Sequence, residues 1–154
     1  MDIREARRDE ASRVVEELWM PLAREMEEVA DYNALSEDAE QKQKEYRNDL
    51  LDELERVTFV AEEDGFVGFV SAKIEEPPPV FARGDTLHIA ELYVREDHRR
   101  QGLATRLMEN VLEWGRERGC EAVELNVDTP NREAIEFYME QGFEEARKVL
   151  RKEL

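Results

Sequence analysis

The chain has 154 residues, 41% of them apolar and 40% charged, and its 39 acidic against 22 basic side chains give a formal net charge of -17. Length and mixture fit one compact domain spanning residues 1–154. No run approaches the roughly 18 consecutive apolar residues of a membrane-spanning helix, and Met1-Asp2-Ile3-Arg4 lacks the profile of a secretion signal, so a cytoplasmic protein with no membrane partner is expected.

The single cysteine, Cys120, excludes an internal disulfide, and two histidines leave no Cys/His cluster of zinc-site spacing, so no metal is expected. So acidic a surface repels phosphate backbones, which argues against nucleic acid as a partner. The basic residues divide into five Lys and seventeen Arg. Low lysine with excess carboxylate gives a halophile-like composition, because a Debye length of roughly 3 Å at 1 M salt mutes self-repulsion.

Asp2 to Ala6 alternates weakly and predicts a short opening strand. Asp9 or Ser12 can then cap a helix carrying Val14, Val15, Leu18, Trp19 and Leu22, with Pro21 expected to kink or restart it. Residues 23–55 are polar with sparse apolar positions (Met26, Val29, Leu35, Tyr46, Leu50, Leu51, Leu54), which predicts one or two solvated helices with a narrow buried face. Val57 to Ala61 and Phe66 to Ile74 are β-branched and aromatic runs separated by Asp64-Gly65, a hairpin signal. Pro77-Pro78-Pro79 places a loop before the next strand, Leu87 to Val94. Leu103, Leu107, Val111 and Trp114 form the stripe of an amphipathic helix ending at Gly119. Ala122 to Val127 reads as a strand, Asn131 to Gln141 as a helix closed by Gly142, and Phe143 to Leu154 as a final strand or hairpin. That order predicts an α/β (α+β) fold with a mixed sheet flanked by helices on its faces.

The chemistry is expected where Ile89 to Val94 runs through a polar turn into the helix that begins at Gly102. A helix start exposes unpaired N–H groups and a partial positive charge, and Gly102 and Ala104 lack the bulk that would hold a phosphate off the backbone. Residues 95–106 carry four Arg against Glu96 and Asp97, a net of +2 within a chain of -17. No Gly-x-x-x-x-Gly-Lys or Gly-x-Gly-x-x-Gly occurs, which disfavours ATP and NAD.

Arg99-Arg100-Gln101-Gly102-Leu103-Ala104 resembles the coenzyme A loop of the GNAT N-acetyltransferase family, Gln/Arg-x-x-Gly-x-Gly/Ala. Upstream, Glu91-Leu92-Tyr93-Val94 resembles that family's fourth strand; downstream, Asn131 to Phe143 resembles its second cofactor motif. The three matches cover about residues 87–143, the cofactor half. The resemblance implies a mostly antiparallel sheet and acetyl-CoA as cofactor. It assigns the backbone of Leu92, Tyr93 and Val94 to the pantetheine arm and the thioester oxygen, and the pyrophosphate to the N–H groups from Arg100 to Thr105, within the cofactor-binding segment Arg99, Arg100, Gln101, Gly102, Leu103, Ala104 and Thr105. It also implies a β-bulge, expected at Ala90-Glu91, which would free backbone groups from the ladder.

Asn131 and Tyr138 lie seven residues apart, on one helix face about 10 Å apart along the axis. By resemblance Asn131 contacts pantetheine and the Tyr138 hydroxyl is the general acid near the sulfur. Read without the resemblance, Asn131 is an N-cap and Tyr138 a core aromatic. For the general base, Glu91, His88 and Asp128 are candidates, with Glu91 favoured, acting through water or by holding a cationic amine. Asn126 stands where some family members that modify protein N-termini carry Glu. The expected function is acetyl transfer from acetyl-CoA to a primary amine of a small molecule or protein, with the acceptor meeting the region from Trp19 to Tyr46. The alternative is a non-catalytic coenzyme-A-binding regulatory module. Oligomeric state is left open, with a homodimer among the options.

Overall fold

The computed structural model describes residues 1–50 and 53–154; Leu51, one of the expected apolar positions, lies outside the described residues. Strand β1 (Asp2–Glu5) leads through a 3-10 turn at Arg8–Glu10 into α1 (Ala11–Val14), a π-helical turn (Val15–Trp19) and α2 (Met20–Val29). Neither Asp9 nor Ser12 caps this helix. The buried Glu10 carboxylate instead closes the 3-10 turn ahead of it, accepting the Arg7 backbone N–H at 2.7 Å. The rod continues through Pro21 rather than restarting: proline offers no N–H and crowds the carbonyl four residues back, and the wider π turn just before it routes the Met20 N–H to the Val15 carbonyl.

A 3-10 turn (Asp31–Asn33) and α3 (Ala39–Leu50) follow, then β2 (Arg56–Glu62), β3 (Phe66–Glu75) and β4 (Thr86–Val94). In the β2–β3 hairpin both Asp64 and Gly65 adopt positive φ, 54° and 110°. A 3-10 turn (Glu96–His98) leads to α4 (Leu103–Glu117), then β5 (Ala122–Leu125) and α5 (Arg132–Glu140). The five strands lie in sequence order, antiparallel except for the parallel pair β4–β5.

The expected final strand over Phe143–Leu154 does not form. Its apolar residues Val149 and Leu150 are adjacent instead of alternating, so no single face could be buried. Both side chains are exposed, and Arg147 reaches Glu124 of β5 through an ion pair of 2.8 Å.

The sheet carries a core on each face. On one, Leu103, Leu107, Met108, Val111 and Trp114 of α4 pack on Val67, Val70, Leu87, Ile89 and Val94. Gly115 permits this close approach, since a Cβ there would sit 2.9 Å from the Leu87 side chain. On the other face, Val14 and Leu18 cover Val60, Phe66, Phe69 and Tyr93. No helix among the described residues is long and apolar enough to cross a membrane.

Candidate active site

Strand β4 changes phase in its middle. Ser71 pairs with Glu91 and Ala72 with Ile89, which leaves Ala90 as the extra residue of a β-bulge, where it was expected. Leu87 and Ile89 point to the α4 core before the bulge, and Val94 does so after it, a break in the period of two. Without the bulge Glu91 would share the apolar α4 face with Ile89; with it, Glu91 projects to the α1–α3 side.

The bulge also ends the pairing with β5. The parallel register runs from Thr86↔Ala122 to Ile89↔Leu125 and stops. Beyond it, Glu91 to Val94 pair only with β3, so their β5-facing backbone groups line the gap between diverging strands. A backbone donor in such a gap must meet water or a ligand.

At the end of β4, the loop into α4 is held from within. The Arg99 guanidinium donates to the Val94 carbonyl at 2.7 Å and makes a two-pronged pair with Glu25 of α2 at 2.8 and 3.0 Å. The Arg99 side chain, part of the expected cofactor segment, is thus engaged in bracing the loop. Arg100, at φ 64°, and Gln101 are exposed. Gly102 adopts φ 77° and caps α4 without a side chain, and a Cβ built there meets nothing within 4 Å. The N–H groups of Leu103, Ala104 and Thr105 open the helix with no intrahelical acceptor. Leu103 is buried and Ala104 packs on the core, so both offer backbone to this site. Thr105 Oγ1 accepts from the Gln141 side chain at 3.3 Å, tying the end of α5 to the start of α4. These features fit a diphosphate: close backbone access, aligned donors and a local excess of positive charge.

Asn131 caps α5, its Oδ1 accepting the Ala134 N–H at 3.3 Å. Its amide Nδ2 remains the group available to a ligand. Tyr138, half-buried on the same helix, stands edge-on between Phe137 and Phe143, with ring centroids 5.4 and 5.6 Å away. Burial pushes its phenol above the ordinary value, so the hydroxyl keeps its proton at neutral pH.

Glu91 is not solitary. One carboxylate oxygen takes the Arg47 guanidinium at 2.7 Å and the other the Ser71 hydroxyl. Arg47 also lies over the Phe69 ring, 5.5 Å from its centroid. The two other base candidates are half-buried apart from it: His88 precedes the bulge, and Asp128 accepts from Asn33 Nδ2 at 2.7 Å, linking the Asp31–Asn33 turn to the loop after β5. Arg47, Ser71, Glu25 and Asn33 were not singled out from the sequence. Ser71 carries a legible signal, a hydroxyl inside an apolar strand; the others depend on contacts between residues 44 to 95 positions apart.

Residues 14–143 match the model of the Acetyltransferase (GNAT) family. The chain belongs to that family. It is 38% identical over 92 residues to an uncharacterised N-acetyltransferase of Methanocaldococcus jannaschii, a match covering 59% of this chain and 40% of that protein. The chain therefore spans less than half the length of this curated relative. Among solved structures, a tetramutant of a Bacillus halodurans protein superposes with a TM-score of 0.86 at 20% identity, covering both chains completely. A predicted acetyltransferase of Clostridium acetobutylicum solved with acetyl-CoA gives 0.77 at 20% identity, covering 99% of this chain and 95% of that one. The family match places the chain among the GNAT acetyltransferases as a family, and these two structures share its fold.

Proposed function

We propose that the chain transfers the acetyl group of acetyl-CoA to a primary amine by direct attack. The observation that supports this most is the divergence of β4 from β5 beyond Ile89 and Leu125, directly beside the Gly102 opening of α4. The slot for the extended arm and the cradle for the anionic end then both follow from the end of β4. When bound, acetyl-CoA supplies the thioester whose acyl carbon the amine attacks and whose thiolate departs.

The chain's own groups then divide the work. Backbone N–H groups from Arg100 to Thr105 hold the diphosphate, and the freed backbone of Leu92, Tyr93 and Val94 orients the arm and polarises the carbonyl. The Tyr138 hydroxyl, kept protonated by burial, donates its proton to the departing thiolate. The attacking amine gives up a proton in exchange, and Glu91 holds the incoming ammonium until that proton leaves through water. Cys120 takes no part, since direct transfer needs no acyl-enzyme.

Calorimetry with acetyl-CoA tests the binding half. Gly102→Val imposes a β-branched side chain on a positive φ and should weaken affinity by about tenfold or more. Equal affinity for wild type and variant, or no binding to either, would overturn the cradle. Binding without release of thiol across a panel of amines would favour the non-catalytic module instead.

A further inference from the structure

The Arg47–Glu91 pair is incomplete in a specific way. The Arg47 side chain is only 10% exposed, and its Nε is buried with no hydrogen-bond partner among the described residues. A guanidinium offers five N–H donors, and one left dry forgoes the bond that water would give it. Removed to solvent, Arg47 would recover that bond. Glu91, at 19% exposure, would in turn need another cation.

The place Arg47 occupies has the chemistry of a cation site. Glu91 supplies the charge, Ser71 fixes one carboxylate oxygen, and the Phe69 ring presents its face. A cleft of about 220 Å³ opens here, lined by Tyr46, Arg47, Ser71, Ala90 and Glu91 among others. It meets the bulge on the α1–α3 side, while the β4–β5 gap opens along the same strand segment. Arg47 comes from α3, in which no whole residue is buried, so its withdrawal disturbs mainly its own contacts with Glu91 and the Phe69 ring.

We infer that Glu91, Ser71 and Phe69 form the acceptor's ammonium subsite and that Arg47 is a resident cation occupying it in the free protein. Acceptor binding is then an exchange of one cation for another at Glu91. The selected substrate class is a cationic primary amine. The substrate role rests on the acetyltransferase reading above; the cation site itself does not.

The direct test is a titration of the full chain with methylguanidinium, without acetyl-CoA, followed by calorimetry or NMR. Arg47→Ala leaves a hole shaped for that ion, as engineered cavities take up the group they lost, and should bind it about tenfold or more tightly than wild type does. Adding Glu91→Gln to Arg47→Ala should abolish the gain. Equal binding by wild type and Arg47→Ala, or a gain that survives Glu91→Gln, would overturn the site. Should Arg47→Ala fail to fold, Arg47→Met keeps the aliphatic stem and is titrated with methylammonium under the same two criteria. In turnover assays Arg47→Ala should lower KM for a cationic amine and leave KM for acetyl-CoA unchanged. A raised amine KM would mark Arg47 as a mere strut for Glu91 and overturn the exchange. Methylguanidinium binding in a chain that acetylates no amine would count against the acetyltransferase reading and leave the cation site standing.

Discussion

On the α4 face of the sheet, Leu103, Leu107, Met108, Val111 and Trp114 are buried against β3 and β4. Across the sheet, α3 has no buried residue and is attached through ion pairs, Lys44 to Glu16 at 2.5 Å and Arg47 to Glu91 at 2.7 Å. Apolar packing is non-directional but unforgiving of lost volume, and it fixes the helix whose N-terminus is the proposed diphosphate cradle. An exposed ion pair can be exchanged for water at small net cost, and a buried one such as Arg47–Glu91 only for another cation. On the function proposed above, the donor half of the site is therefore held in one geometry, whereas the acceptor half can change partners.

The contrast breaks most easily at Leu107, which is fully buried beneath α4. Leu107→Ala should destabilise the chain by roughly 3–5 kcal/mol in urea unfolding, and weaken acetyl-CoA binding with it. A loss below about 1 kcal/mol would mean that the α4 face is not the rigid one. Next in size is Tyr138→Phe. It keeps the ring edge-on between Phe137 and Phe143 and should lower acetyl transfer about a hundredfold, with acetyl-CoA affinity nearly intact. Unchanged turnover would remove the phenol as proton donor.

The same contrast explains which parts of the molecule were legible in the sequence. The α4 stripe at 103, 107, 111 and 114, the Asp64-Gly65 hairpin and the Gly102 helix start follow from local periodicity and turn chemistry, and each was found where expected. The bulge was anticipated by resemblance, yet it also leaves a mark in the residues: Leu87, Ile89, Leu92 and Val94 pack on one core with a spacing of three between Ile89 and Leu92. The Phe143–Leu154 segment misled, because scattered apolar residues among alternating charges suggest a strand even where no face is continuous. Arg47 gave no local sign, since in a solvated helix an arginine aimed at a strand 44 residues away looks like any other.

Glu10 sharpens the comparison by placing a buried charge on the polar side. Hydrogen bonds from Arg4, reinforced by the Arg7 backbone N–H, hold its carboxyl at about 2 against burial, which works the other way. A carboxylate with a depressed folded pKa contributes stability that is complete above its unfolded value of 4.5 and is lost as pH falls toward 2. The stability gap between wild type and Glu10→Gln should accordingly shrink by on the order of 2–3 kcal/mol over that window. Leu107→Ala should show no such narrowing, and a gap that stays constant with pH would remove Glu10 as the source.

The smallest effect belongs to Lys44, whose partner Glu16 is half exposed. Lys44→Ala should lower Tm by no more than about 2–4 °C at low salt, because an exposed pair forgoes most of its Coulomb energy to solvent and to side-chain ordering. In 1 M KCl, where the Debye length is about 3 Å, that difference should vanish. Salt acts in the opposite sense on the whole chain: with a net charge of -17, screening relieves more repulsion than it removes attraction, so wild-type Tm should rise with KCl. A flat Tm curve would separate the acidic composition from any adaptation to salt. A Lys44 effect that persisted in molar KCl would mean that packing of its aliphatic stem, and not charge, attaches α3.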